Sequence, residues 1–345
     1  MRLPANAPCP SWPSAELGSP QDDARRRWLG LLTAAPFAVR AQATRPARIG
    51  WMSGVSYATT PHWPVFTGAM QALGWHEGRD YVVEHATAEG RDERFASIAA
   101  DLVQRKVDAI VTAGTPPSVA ARDATRSAPI PVVFFFVGDP VGSGLVASLA
   151  RPGSNLTGLG GLGPGLHGKQ LGLLKEAVPT LRRVAVLRNP EFPLHAIYWQ
   201  EIELAATRMG FDPVRIDLRT EQDVDAAFVA VAHRKAQALL ILGQPSIFRV
   251  GGRIAKLALE QRLPTISPIL EMAHAGALMA YGSRLVDDVA RVPYYLDRIL
   301  KGTRPQELPV EQPSRFYLVV NRSTAHSLGI VLPRSVLARA DETVG

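Results

Sequence analysis

The chain reads as an α/β protein built from two doubly wound units that share a cleft, and three observations lead there. From Ala47 onwards, short β-branched runs alternate with helix-period segments, the pattern of parallel sheets covered by helices on both faces. The alternation breaks once, at the glycine-rich stretch 158–168 (GLGGLGPGLHG), and then resumes. Roughly 300 residues remain once an N-terminal signal is set aside, enough for two lobes of about 130–150 residues each.

In the first unit, strands are predicted at 47–52, 81–85, 108–113, 131–136 and 156–159, with helices at about 62–73, 92–105, 117–126 and 140–149. The second has strands at 182–187, 213–218, 237–242, 264–267 and 277–281, and helices near 167–177, 195–209, 221–233, 247–261 and 284–300. A late strand at 316–320 and a Pro-punctuated helical end at 323–339 close the chain. Open sheets bind ligands beyond the carboxyl ends of their strands, so both units should turn their strand-to-helix loops to the same cleft.

Residues 25–43 have the order of an export signal: Arg25-Arg26-Arg27-Trp28, an apolar run to Val39, then Ala41-Gln42-Ala43. The run is too short to span a bilayer, so cleavage after Ala43 and a periplasmic product are expected. The adjacent arginines, Thr33 and Pro36 within the run, and Arg40 before the cut lean towards a twin-arginine route. Residues 1–24 are Pro-, Ser- and Ala-rich without periodicity; no fold is assigned to them, and a start codon placed too early is expected.

The single cysteine, Cys9, falls in the removed segment, so the mature chain should hold no disulfide, no thiol nucleophile and no cysteine metal ligand. The full chain has 38 Lys+Arg against 31 Asp+Glu; without residues 1–43, which carry five arginines and three acids, 33 stand against 28. This mild basicity is dispersed and no helix-turn-helix precedes the first strand, so nucleic acid is not an expected partner. After residue 43 no apolar run approaches membrane-span length. A soluble monomer is expected.

Gly114-Thr115-Pro116-Pro117-Ser118 follows an apolar strand and opens a helix, with Thr115 as N-cap and Pro116 as first helical residue. The helix N-terminus and the Thr115 and Ser118 hydroxyls suit a carboxylate; ordinary capping explains the same residues. Gly138-Asp139-Pro140 repeats the device, and there capping by Asp139 is favoured over ligand contact. Ser53, Tyr57 and Trp63, in or after the first loop, offer a hydroxyl and an aromatic wall. The corresponding loop ends of the second unit are Asn189-Pro190, Gln244-Pro245 and Tyr281-Gly282, which turn chemistry explains nearly as well.

Gly158-x-Gly160-x-x-Gly163 matches the dinucleotide fingerprint formally, but it lies between units and lacks the acid after the next strand, so an interlobe hinge is the better reading. The eight histidines show no metal-ligand spacing and no pairing with a nucleophile elbow, and no P-loop or kinase set is present. Neither a catalytic residue, a metal site nor a cofactor is expected.

The segments PIPVVFFFVGDPVGSGLVASLARPGSNLTGL (129–159), GWHEGRDYVVEHATAEGRDERF (74–95) and KGTRPQELPVEQPSRFYLVVNRSTAHSLGIVLPRSVLARADE (301–342) resemble the ABC-transporter substrate-binding family of tryptophan/tyrosine type, over about residues 47–342. The resemblance implies a type I periplasmic-binding fold: two Rossmann-like doubly wound lobes, a three-strand hinge and a small solute, an amino acid or related carboxylate, held by hinge closure and passed to an inner-membrane ABC permease. It also implies a discontinuous division, with residues 44–161 plus 283–311 in lobe 1 and residues 162–282 plus 312–345 in lobe 2. Ligand loops would fall on Thr115, Ser118, Asp139, Asn189 and Tyr281. Relatives commonly carry an acid where this chain has Gln244, which opens the way to an amide- or carboxylate-bearing solute. A ligand-sensing module for a membrane signalling partner is the alternative function.

Overall fold

Two sheets divide the described residues. The computed structural model describes residues 45–345 except 129, 161–164 and 245–246. The predicted export signal with its cleavage point after Ala43, as well as Gly163 and Pro245, lies outside the described residues.

The first half runs β1 (Ala47–Ser53), α1 (Trp63–Ala72), β2 (Tyr81–Thr87), α2 (Phe95–Gln104), β3 (Ala109–Ala113), α3 (Thr115–Ala124), β4 (Val132–Val137) and β5 (Leu156–Gly160). Its five strands are parallel, in the order β2-β1-β3-β4-β5. The second half runs α4 (Leu166–Ala177), β6 (Arg183–Arg188), α5 (Pro193–Met209), β7 (Asp212–Asp217), α6 (Val224–His233), β8 (Ala238–Ile241), α7 (Ile247–Glu260), β9 (Thr265–Ser267), α8 (Glu271–His274) and β10 (Met279–Gly282). It continues through α9 (Leu285–Leu300), β11 (Tyr317–Asn321), α10 (Arg322–Leu328), α11 (Arg334–Arg339) and β12 (Glu342–Val344). The second sheet has the order β12-β11-β10-β9-β8-β6-β7 and is parallel except where β11 meets β10.

Central strands such as β4 (VVFFFV) are apolar on both faces because helices cover both, which is why they read as continuous rather than alternating runs. Helix α9 follows a strand of the second sheet, yet its apolar stripe of Leu285, Val289, Val292, Leu296 and Ile299 packs into the first core with Phe66 and Tyr81. Leu308 joins the same core, and Glu311 bridges Leu159 at the end of β5. The chain therefore passes between the sheets three times, from β5 to α4, from β10 to α9, and from Glu311 to β11.

The predicted helix at 140–149 is absent. Pro140, Gly142 and Gly144 leave too little helix propensity there, and the segment forms turns instead. The helical end at 323–339 is two helices, α10 and α11, separated at Gly329 and Pro333, and the edge strand β12 and the short α8 were not anticipated.

Candidate ligand-binding site

A cavity of about 210 Å³ lies between the carboxyl ends of the two sheets. Ser53 at the end of β1, Tyr57 and Gly138 in loops, and Thr115 at the start of α3 line it from the first sheet's side, Asp288 from α9, and Phe192, Tyr198, Arg249 and Glu271 from the second sheet's side. Walls from both sets of strand-to-helix loops meet at one space, as the topology requires.

Tyr57 is held against an aromatic cluster, its ring 5.4 Å from Trp51 and 5.7 Å from Phe135 between centroids. Burial, then the charges of Asp288 and Glu271, hold the Tyr57 proton on well above the ordinary phenol range. The strand end beneath it is irregular: β4 shifts register against β5 between Phe134 and Val137, and Phe136 takes a left-handed φ of 56°. The Phe136 ring packs against a core of the first sheet and a core of the second, and its N–H donates to the Asp288 carboxylate.

On the opposite wall, Tyr198 of α5 stacks obliquely on His167, with centroids 4.7 Å apart. Its hydroxyl is buried without a hydrogen-bond partner among the described residues. His195, fully buried, accepts from the Asn189 N–H at Nδ1 (2.9 Å) and donates from Nε2 to the Gly243 carbonyl (3.2 Å). That pattern fixes its tautomer as Nε2–H and ties the loop after β6 to the loop after β8. Burial drives its pKa down to about 4, so it is neutral. Arg249 of α7 donates to the Glu89 carbonyl across the cleft at 2.8 Å and pairs with Glu221 on its own side.

Of the residues singled out in the sequence, Ser53, Tyr57 and Thr115 come together around the cavity. Ser53 is almost fully buried and its hydroxyl donates to the Val55 carbonyl at 2.6 Å. Gly114 is the N-cap of α3 and Thr115 its first residue, one step from the predicted frame. The Ser118 hydroxyl donates to the Gly114 carbonyl (2.6 Å) and accepts from Thr112 (2.8 Å) beneath the loop. Asp139 Oδ1 accepts from the N–H groups of Val141 and Gly142, closing a turn, and Asn189 Oδ1 accepts from the Glu191 N–H. Gln244 is buried beside the cavity-lining Gly243, its Nε2 directed at the Leu218 carbonyl (3.4 Å). Tyr281 stacks on Phe316 in a separate groove behind α4. Gly158 of the fingerprint-like run lies within β5, where a Cβ would stand 1.9 Å from the Phe134 carbonyl oxygen. Its role is close packing on the β4 irregularity.

Sequence reasoning passed over Tyr198, Arg249, Glu271 and Asp288. One of them carried a signal: Asp288 sits in the apolar stripe of α9, between Leu285 and Val292, where a lone acid breaks the pattern. Tyr198 lies within α5 and Arg249 in the first turn of α7, neither with a local motif, and Glu271 opens a helix too short to be read. Among the described residues, no group of three or more His, Cys, Asp or Glu is placed to hold a metal ion. No described helix is long and apolar enough to cross a membrane.

Residues 64–344 match the family model described as ABC transporter substrate binding protein. A tyrosine-binding protein of Clostridioides difficile (strain R20291) is 25% identical over 267 residues, 76% of this chain and 75% of that protein. A conserved domain protein from Vibrio cholerae O1 biovar eltor str. N16961, solved by crystallography, superposes with a TM-score of 0.80 at 28% identity, covering 87% of this chain and all of the other. The crystal structure described as an ABC domain in complex with L-Trp from Streptococcus pneumonia superposes with a TM-score of 0.78 at 22% identity, with the same coverage.

Proposed function

The chain belongs to the ABC transporter substrate binding protein family, and from that premise we propose that it captures an amino acid or related carboxylate outside the cytoplasm for an inner-membrane ABC permease. Its fold is that of the type I periplasmic binding proteins. The observation that carries the reading is the cavity enclosed between two lobes, with hydroxyls and the start of α3 on one wall and the Tyr198 and Phe192 rings on the other. The helix start and Thr115 suit a carboxylate; the rings suit an apolar side chain. The tyrosine-binding relative and the L-Trp complex support aromatic amino acids as the first solutes to test.

The act is capture by lobe closure without chemistry on the solute. The Arg249–Glu89 contact and the approach of Tyr198 to Gly138 are the kind of cross-cleft contacts that a closed form gains. A micromolar affinity corresponds to about −8 kcal/mol, within reach of a few charge-assisted hydrogen bonds and one aromatic wall after ordering costs. Thermal-shift screening of the purified protein against amino acids and small carboxylates tests this, together with mass spectrometry of any co-purifying solute. Stabilisation by at least one amino acid is expected; indifference to the whole panel overturns the reading.

A further inference from the structure

The cavity carries acidic side chains that the protein itself does not neutralise. Asp288 is only 6% exposed and accepts a hydrogen bond from the Phe136 N–H, while Glu271 reaches the same space from α8. Among the described residues neither acid has a lysine, arginine or histidine within ion-pair distance. Arg249, the one cavity-lining arginine among the described residues, is engaged by Glu221 and the Glu89 carbonyl. The amide of Gln244 is turned to the Leu218 carbonyl. A carboxylate buried in this way is costly unless a counter-charge arrives.

Resting on the reading of this cleft as a solute site, we propose that Asp288, assisted by Glu271, is the subsite for a ligand ammonium group. The solute is then a zwitterion, its amine at α9 and its carboxylate at Thr115 and the start of α3. An independent feature of the same cavity is the hydroxyl of Tyr198, a residue 8% exposed; it is buried without a partner among the described residues, and a polar ligand atom would complete it. A solute bearing only a carboxylate would bring negative charge towards both acids. Burial, with Asp287 next along the helix, pushes the Asp288 carboxyl up to about 7, as expected of an acid waiting for a cation.

The test is calorimetric titration of the full chain and its Asp288→Asn variant with three matched probes. These are L-tyrosine, tyramine (amine only) and 3-(4-hydroxyphenyl)propionate (carboxylate only). The variant is expected to weaken L-tyrosine and tyramine by about tenfold or more and to leave or improve 3-(4-hydroxyphenyl)propionate, because losing one member of a buried charge pair strands the other. Unchanged L-tyrosine affinity, or equal weakening of all three probes, overturns the subsite. Should Asp288→Asn fail to fold, Glu271→Gln is read against the same probes. If another amino acid binds the wild type instead, it takes the place of L-tyrosine with its own decarboxylated and deaminated partners. Wild-type protein that binds no amino acid at all sinks the solute reading, and the subsite with it, an outcome distinct from binding that ignores Asp288.

Discussion

The Tyr198 hydroxyl meets the Gly138 backbone across the cleft so closely that a Cβ built on Gly138 would stand 2.0 Å from it. One residue follows β4 of the first sheet and the other lies on α5 beside the second. A methyl group at 138 fits only if the Tyr198 ring or the spacing of the lobes gives way.

Gly138→Ala is therefore expected to wedge the cleft while sparing both cores. Affinity for whichever amino acid binds should fall about tenfold or more, since a closed state made costlier by about 1.4 kcal/mol lowers apparent affinity by that factor. Small-angle scattering with saturating ligand should show a more open particle than wild type. Identical scattering and identical affinity would count against closure as the act of capture.

Arg249 offers a second lever on the same equilibrium. Its guanidinium donates to the Glu89 carbonyl of the opposite lobe, and its side chain is 36% exposed. A hydrogen bond from a charged donor to a neutral carbonyl at an exposed site contributes about 1 kcal/mol and is only weakly screened by salt. Arg249→Met should leave the unfolding midpoint within error yet weaken ligand binding about threefold to fivefold. Calorimetric titration of both proteins checks this; equal affinities remove Arg249 from the closing contacts.

The architecture was legible because burial on both faces of a parallel sheet leaves a strong local mark: continuous apolar runs such as those of β4 and β8, separated by amphipathic helices. The site was legible only where it follows directly from a strand end, as with Ser53, Tyr57 and Thr115. Asn189 and Asp139 share that placement, yet their carboxamide and carboxylate close turns on neighbouring N–H groups, a use that the same residue types at the same positions do not distinguish. Tyr198, Arg249 and Glu271 reach the cavity through tertiary geometry, to which no sequence period refers. Asp288 is intermediate: the acid in an apolar stripe is visible, but its purpose appears only when α9 is seen packed on the first sheet.

Asp288 also sets a pH dependence. Its folded pKa is pushed up to about 7 by burial and by Asp287, against the Phe136 N–H that pulls it down, whereas an unfolded aspartate titrates near 3.9. The folded state binds the proton more tightly, so this contribution is complete below about pH 4 and is lost as pH rises to about 7, by about 4 kcal/mol in all. Tyr57, Glu271, His62 and Arg249 face the same cavity and remain in the variant. Denaturant unfolding of wild type and Asp288→Asn at pH 4.5 and 7.5 should show the variant gaining on wild type as pH rises. A constant difference would remove Asp288 as the cause.

His195 contributes with the opposite sign. Burial, with help from the charges of His167 and Arg188, holds its folded pKa down at about 4, although the Gly243 carbonyl pulls the other way. An unfolded histidine titrates near 6.5, so this stability is present above about pH 6.5 and is lost as pH falls to about 4, by about 3 kcal/mol. His195→Leu leaves the Asn189 N–H and the Gly243 carbonyl unpaired at the base of two cleft loops, a loss of about 2–4 kcal/mol at pH 7.5. At pH 4.5 that loss should shrink, because the imidazole no longer has to be kept neutral. The Asp288 slope runs against this one over the same pH range, so the comparison is cleanest in the Asp288→Asn background. There, an unfolding midpoint at pH 7.5 that does not respond to His195→Leu would show that the two loops are held by something other than this ring.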